Sequence, residues 1–225
     1  MDTTKTIAAL FDFDGVIMDT ELQYTIFWNE QGEKYLHVKN FGPGIKGQTL
    51  TQIYDKHFAG ELVSVREQIT SDLNLFEKDM AYEYLPGVQD FLVELRRHNV
   101  KIALVTSSND EKMENVYRTH PEFKEQFDRI LTGDMFKRSK PAPDCFLLGM
   151  EIFGTVPENS FVFEDSFHGL QAGRSSGAKV IGLATTNSRE AIAGKADYII
   201  DDFTGMTYDK LLTCLLYTSD AADDM

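Results

Sequence analysis

Cysteine is nearly absent. Cys145 and Cys214 are the only two among 225 residues, far apart and with no partner at metal-ligand spacing. A disulfide framework and a cysteine zinc site are excluded, and a reducing compartment suits the chain. Positive charge is also scarce, with 22 Lys and Arg against 36 Asp and Glu and a formal net charge of −14. That balance excludes nucleic acid and anionic membrane surfaces as partners. Long apolar runs are missing as well. The N-terminal run ends at Asp12, too short and too acidic for a signal peptide or a membrane span, so the protein is expected to be soluble and cytoplasmic. Neither an internal repeat nor a low-complexity segment is present.

What remains is an ordinary globular composition, 42% hydrophobic and 26% charged. The length suits a single α/β domain or a core with a smaller insertion, and it allows a useful core without covalent staples. Residues 6–11 (TIAALF) form an apolar run of strand length that stops at an acidic, Gly-containing segment. Similar runs recur at 100–105, 127–131, 160–163, 179–183 and 198–200. Between them lie apolar residues at helical spacing: Val88, Phe91, Leu92 and Leu95, then Met113, Val116 and Tyr117, then Phe146, Leu147, Met150 and Phe153. Strands alternating with helices predict an α/β fold, a doubly wound and mostly parallel sheet covered on both faces.

One stretch lacks strands. Residues 19–85 show only helical periodicity, clearest at Leu62, Val65, Ile69, Leu73, Phe76 and Met80. An inserted helical-bundle cap over 19–85 is expected above the carboxyl edge of a core formed by 1–18 and 86–213, where such sheets bind ligands. The last residues, 214–225, read CLLYTSDAADDM and look like a translated sequencing adapter, a non-native tail without function. An ordinary terminal helix is the plainer alternative, because Leu211, Leu212, Leu215 and Leu216 have helical spacing.

Four segments carry candidate chemistry. In Asp12-Phe13-Asp14-Gly15, residues two apart at a strand end put both carboxylates toward one substrate. Such a pair suits phosphoryl transfer, with one Asp as covalent nucleophile and the other as general acid and base. A lone DxDG is equally well read as an acidic turn. Thr106-Ser107-Ser108-Asn109 ends a second strand, where hydroxyls and backbone N–H groups can meet a phosphate or simply cap a helix. In Ser139-Lys140-Pro141-Ala142-Pro143, two prolines restrain the loop and give Lys140 a set direction, as a charge balance for a transferring phosphoryl group or as a solvated side chain. Glu164 and Asp165 end another apolar strand. With Asp12 and the Asp14 backbone carbonyl they form the hard oxygen set that Mg²⁺ prefers, or else a helix cap.

Together, in this order and across the whole core, the four segments resemble the haloacid dehalogenase-like (HAD) hydrolase superfamily. FDFDGVIMDTE, SKPAPD and EDSFHG are most similar to its β-phosphoglucomutase-like group with a helical cap, over residues 6–212. The resemblance implies a Rossmann-like core and assigns Asp12 as nucleophile, Asp14 as general acid/base, Thr106 as phosphate-binding hydroxyl and Lys140 as charge-balancing lysine. It also assigns Glu164 and Asp165 as the acidic metal-binding pair, beside Asp12 and Asp14, and makes Lys140-Pro141 a candidate cis peptide. Lys46 and Gly47 match the cap loop that selects substrate, and Ser107, Ser108 and Asn109 flank the phosphate. Two positions depart from the mutase pattern: Tyr24 replaces a His, and Leu50 replaces an Arg that grips a second phosphate. These losses favour simple hydrolysis, a Mg²⁺-dependent phosphatase of a small phosphorylated metabolite, a sugar phosphate, over β-phosphoglucomutase, and a monomer is the default for this architecture. A dehalogenase would lack Asp14. Ile26, Phe27 and Trp28 are read as cap core, His168 as solvent-facing and Cys145 as a buried helix residue.

Overall fold

The computed structural model describes residues 6–46 and 48–216. Strands β1 (Ala8–Phe11), β2 (Lys101–Val105), β3 (Arg129–Leu131), β4 (Ser160–Glu164), β5 (Lys179–Leu183) and β6 (Tyr198–Ile200) form one sheet. Its order is β3-β2-β1-β4-β5-β6, and every pairing is parallel. The chain winds from β1 outward to β3, then returns to β4 beside β1 and winds the other way. The order reverses at the β1–β4 boundary, where a crevice opens at the carboxyl ends of a doubly wound sheet.

Both faces of β1 are buried, so its side chains divide between two cores. Ala9 and Phe11 pack with Phe91, Leu92 and Leu95 of α4 (Val88–Arg97) and with Phe163 and Phe203. Ala8 and Leu10 face Phe146 and Met150 of α6 (Asp144–Phe153) and Leu170 of α7 (Phe167–Ser176). The Phe11 and Phe163 rings stack at 4.2 Å across the β1–β4 pair and so fix the neighbours that matter for the site. Helices α5 (Asp110–Thr119), α8 (Arg189–Ile192) and α9 (Tyr208–Leu216) complete the layers.

The insertion contains α1 (Glu21–Gln31), continued by a π-helical turn over Gly32–Leu36, then α2 (Leu50–His57) and α3 (Arg66–Asp79). These helices gather a core of their own from Phe27, Trp28, Phe41, Ile45, Ile53, Phe58, Ile69 and Leu73. Thr49 and Gln52 form a reciprocal capping box that starts α2. The segments entering and leaving the insertion run side by side: Asp19 N donates to Glu83 O at 2.8 Å, and Leu85 N donates to Ile17 O at 2.9 Å.

Two expectations need correction here. The helical run from Leu62 does not form one α-helix, because Leu62 and Val65 lie in a 3₁₀ segment over Gly60–Val65. Gly60 has φ +62°, and α3 begins only at Arg66. Ile26 is 53% exposed and outside the cap core, whereas Phe27 and Trp28 are in it. Of the tail, Cys214–Leu216 backbone continues α9, and residues 217–225 lie outside the described residues, as does Gly47.

Candidate active site

Asp12 follows β1 directly, and its backbone N–H donates to Phe163 O of β4 at 3.0 Å, so the carboxylate stands at the topological switch. The chain then turns sharply: Gly15 has φ +72°, and a Cβ there would lie 2.1 Å from Asp165 Oδ2. Glycine alone permits both the left-handed backbone and the approach of the β4 carboxylate. This turn folds Asp14 back toward the crevice and away from the Asp12 partners.

Lys140 is buried with its ammonium shared among three acceptors: Asp12 Oδ1 at 2.6 Å, Glu164 Oε1 at 2.6 Å and the Val105 carbonyl at 3.1 Å. Burial alone would lower its pKa, but Asp12 and then Glu164 outweigh that and hold the ammonium charged, above the ordinary lysine value. The Lys140-Pro141 peptide is cis, as the resemblance implied. Glu164 also accepts from Ser166 Oγ at 3.2 Å and from the backbone N–H of Asp165 at 3.2 Å. It is fully buried and stands behind the cavity rather than in its lining.

Asp12, Glu164 and Asp165 each bring a carboxylate oxygen within 4.8 Å of the others. Burial pushes the Asp12 carboxyl up to about 7, with Lys140 opposing and Glu164 and Asp14 adding. Asp165 is also raised, first by burial and then by Glu21, Glu164 and Asp12. Thr186 Oγ1 donates to Asp165 Oδ2, and Asn187 Nδ2 donates to the Asp165 carbonyl at 3.0 Å. Two of the three buried carboxylates, Asp12 and Glu164, share Lys140 while Asp165 has no lysine partner in this group, and the oxygen set of the three fits a hard divalent cation. The Asp14 side chain is not part of this group, so any share it takes falls to its backbone carbonyl.

A cavity of about 600 Å³ opens over these groups, between core and insertion. Asp12, Asp14, Ser107, Ser108, Asn109, Lys140 and Asp165 line it from the core, and Tyr24, Lys46 and Leu50 from the insertion. Thr106 does not line it. Its buried hydroxyl accepts from Ser108 N at 3.0 Å, which orients the Ser107–Ser108 backbone. Asn109 caps α5 by accepting from Lys112 N at 2.9 Å, the plainer of its two readings, while still bordering the cavity. Lys46 is ion-paired with Glu21 at 3.0 Å, and its carbonyl accepts from His168 Nδ1 at 3.2 Å. His168 is therefore half-buried against the cap loop and not solvent-facing, because α7 starts directly beneath that loop. Cys145 is buried as expected, its thiol pushed up to about 11 by burial.

Sequence reasoning missed Lys112. Its Nζ reaches both Asp14 oxygens, at 2.6 and 2.5 Å, and Asp14 also accepts from Thr20 Oγ1 at 2.5 Å and Ser108 Oγ at 3.3 Å. A signal existed in the sequence: a lysine three residues after the cap residue Asn109 sits in a first turn that otherwise holds Asp110 and Glu111. The helix dipole disfavours a cation there. Thr186 and Glu21 carried no such signal, because their roles depend on β5 and α1 arriving at the same crevice.

With this geometry in view, the chain matches the family described as haloacid dehalogenase-like hydrolase over residues 9–183. It belongs to that family. A "Phosphorylated carbohydrates phosphatase" of Thermotoga maritima is 30% identical over 182 residues, covering 77% of this chain and 83% of that protein. Among solved structures, a β-phosphoglucomutase from Clostridium difficile superposes with a TM-score of 0.77 at 22% identity, covering 95% of this chain and 98% of the other, a likeness of fold. CbbY from Rhodobacter sphaeroides, solved in complex with phosphate, has a TM-score of 0.69 at 25% identity, covering 88% and 95%. The chain is thus an enzyme, placed with the phosphoric monoester hydrolases of its family.

Proposed function

We propose that this protein is a Mg²⁺-dependent phosphatase that hydrolyses a small phosphorylated metabolite, a sugar phosphate, through an aspartyl-phosphate on Asp12. The observation that carries the reading is the position of Asp12: at the switch point, gripped by Lys140, beside Glu164 and Asp165, on the floor of the cavity between core and insertion. One Asp12 oxygen attacks phosphorus in line, and the bond from phosphorus to the leaving oxygen breaks. Asp14 gives its proton to that oxygen, which departs as an alcohol. Water then attacks the aspartyl-phosphate, Asp14 takes back a proton, and phosphate leaves with the Asp12 carboxylate restored. Lys140 balances charge on the phosphoryl oxygens, and the Ser107–Ser108 segment offers donors to them. A bound Mg²⁺, held by Asp12, Asp165 and the Asp14 carbonyl with Glu164 beside them, would supply Lewis-acid stabilisation of the same oxygens. Glu164 also holds Lys140.

The substrate class rests on the walls. Gln48, Thr51 and Asn74 line the cavity with neutral hydroxyls and amides, suited to a polyol. Among the described residues lining the cavity, the cations are Lys46, Lys112 and Lys140, each already paired with a carboxylate, and arginine is absent. A β-phosphoglucomutase needs an anchor for a second phosphate, and Leu50 stands where that anchor was expected. Hydrolysis is therefore the favoured reaction.

The test is phosphate release from a panel of sugar phosphates and other phosphometabolites, with Mg²⁺ and with EDTA. Conversion of β-glucose 1-phosphate to glucose 6-phosphate is followed alongside, with a trace of the 1,6-bisphosphate present. Mg²⁺-dependent free phosphate is expected. Isomerised sugar with little free phosphate would overturn the phosphatase in favour of the mutase. Asp12→Asn is expected to abolish turnover at an unchanged melting temperature, and a variant with full activity would rule out the covalent route.

A further inference from the structure

Lys112 belongs to the core helix α5, yet it is 3% exposed and lies between the site and the insertion. On one side its Nζ holds both oxygens of Asp14. On the other it lies over the ring of Tyr24, 4.5 Å from the centroid, as well as 4.9 Å from that of Phe13. Tyr24 comes from α1 of the insertion, and its hydroxyl donates to Glu77 Oε1 of α3 at 2.6 Å. A buried ammonium persists only where acceptors and π-faces replace water. Here those replacements come from both halves of the molecule, the Asp14 carboxylate and the Phe13 ring from the core and the Tyr24–Glu77 ring–carboxylate pair from the insertion.

We propose that Lys112 is a positioning residue for Asp14, holding the general acid/base aimed at the Asp12 phosphoryl group through a seat supplied by Tyr24 and Glu77. The proposal rests on the aspartyl-phosphate reading above. A carboxylate gripped at both oxygens cannot rotate about its terminal bond, and Thr20 and Ser108 complete the restraint. Without the grip, the like charge of Asp12 turns Asp14 away. Displacements of about 1 Å in such groups cost on the order of 10²-fold in rate.

The experiment uses p-nitrophenyl phosphate and Mg²⁺ in stopped flow with the wild type, Lys112→Met and Glu77→Gln. p-Nitrophenolate leaves phosphorus without a proton, so the first step proceeds without an aimed Asp14. Attack of water on the aspartyl-phosphate still needs Asp14 as base. Lys112→Met is expected to show a burst of about one p-nitrophenolate per enzyme, with kcat down on the order of 10²-fold and kcat/KM within roughly threefold of wild type. Glu77→Gln leaves Lys112 and Asp14 in place and is expected to show the same burst with a smaller fall in kcat. The double variant is expected to be no slower than Lys112→Met alone. An unchanged kcat, or equal falls in kcat and kcat/KM without a burst, would overturn the proposal. If Lys112→Met does not fold, Glu77→Gln decides: a burst supports the proposal, and wild-type kinetics end it. Failure of the underlying reading shows separately, as a wild type without Mg²⁺-dependent turnover or an active Asp12→Asn.

Discussion

At the scale of single residues, Lys140 decides whether three carboxylates can share a buried crevice. Its ammonium is the cation that Asp12 and Glu164 have in common within the protein, and Glu164 is fully buried. Removing one partner from a buried charged group costs about 3–5 kcal/mol, because the charge left behind has no solvent. Lys140→Met is therefore expected to lower the melting temperature as well as abolish turnover. The raised carboxyls make a second prediction. Asp12 is lifted to about 7 and Asp165 is lifted as well, so the folded state without cation binds protons more tightly than the unfolded chain does. Their contribution to stability is present at low pH and is lost as pH rises through about 7. Mg²⁺ binds the ionised form, so it should raise the melting temperature more at pH 8 than at pH 5.5. Calorimetry with Mg²⁺ and with EDTA at both pH values checks this, and an equal increment at the two would sink it.

At the scale of elements, much of the architecture is legible because apolar runs and punctuation agree. Residues 179–183 and 198–200 are strands with the expected bounds, and the Asp12, Lys140 and Asp165 segments all reach one sheet edge. The stretch around Leu62 is less legible, because apolar spacing of three and four fits a 3₁₀ turn leading into a helix as well as an unbroken α-helix. Thr106 illustrates another limit. A hydroxyl at a strand tip can face the ligand or brace the backbone beneath it, and only the fold shows that this one braces Ser108. Lys112 and His168 escaped because their partners, Asp14 and Lys46, lie 98 and 122 residues away in sequence, distances that periodicity does not reach. The β4–α7 junction carries its own test. A Cβ on Gly169 would lie about 2.0 Å from the Glu164 carboxylate oxygens, so Gly169→Ala must displace Glu164 and with it Lys140. A loss of about 1–3 kcal/mol in chemical denaturation is expected, together with reduced turnover. Full stability with full activity would show that Glu164 can shift freely.

At the scale of the whole molecule, an acidic protein captures an anion. The formal net charge is −14, and the cavity lysines are already neutralised by their partners. Long-range repulsion should therefore slow the approach of a phosphate ester, with attraction confined to the last few ångströms. Added salt screens such repulsion over about 10 Å at 0.1 M. The expected outcome is that kcat/KM rises as ionic strength goes from about 0.01 to 0.15 M with NaCl at fixed Mg²⁺. A fall would show that the local cationic floor governs encounter instead.

The strand order also sets a timetable for biosynthesis. β1 lies between β2 and β4, and roughly 150 residues separate Asp12 from Asp165. At about 5–20 residues per second, a ribosome takes on the order of ten to thirty seconds to deliver the second carboxylate after the first. Throughout that interval the nascent chain carries its DxD aspartates without the complete set of Lys140, Glu164 and Asp165 beside them. A truncated translation product is accordingly expected to be inert toward phosphate esters, with activity emerging only when the C-terminal half of the sheet docks.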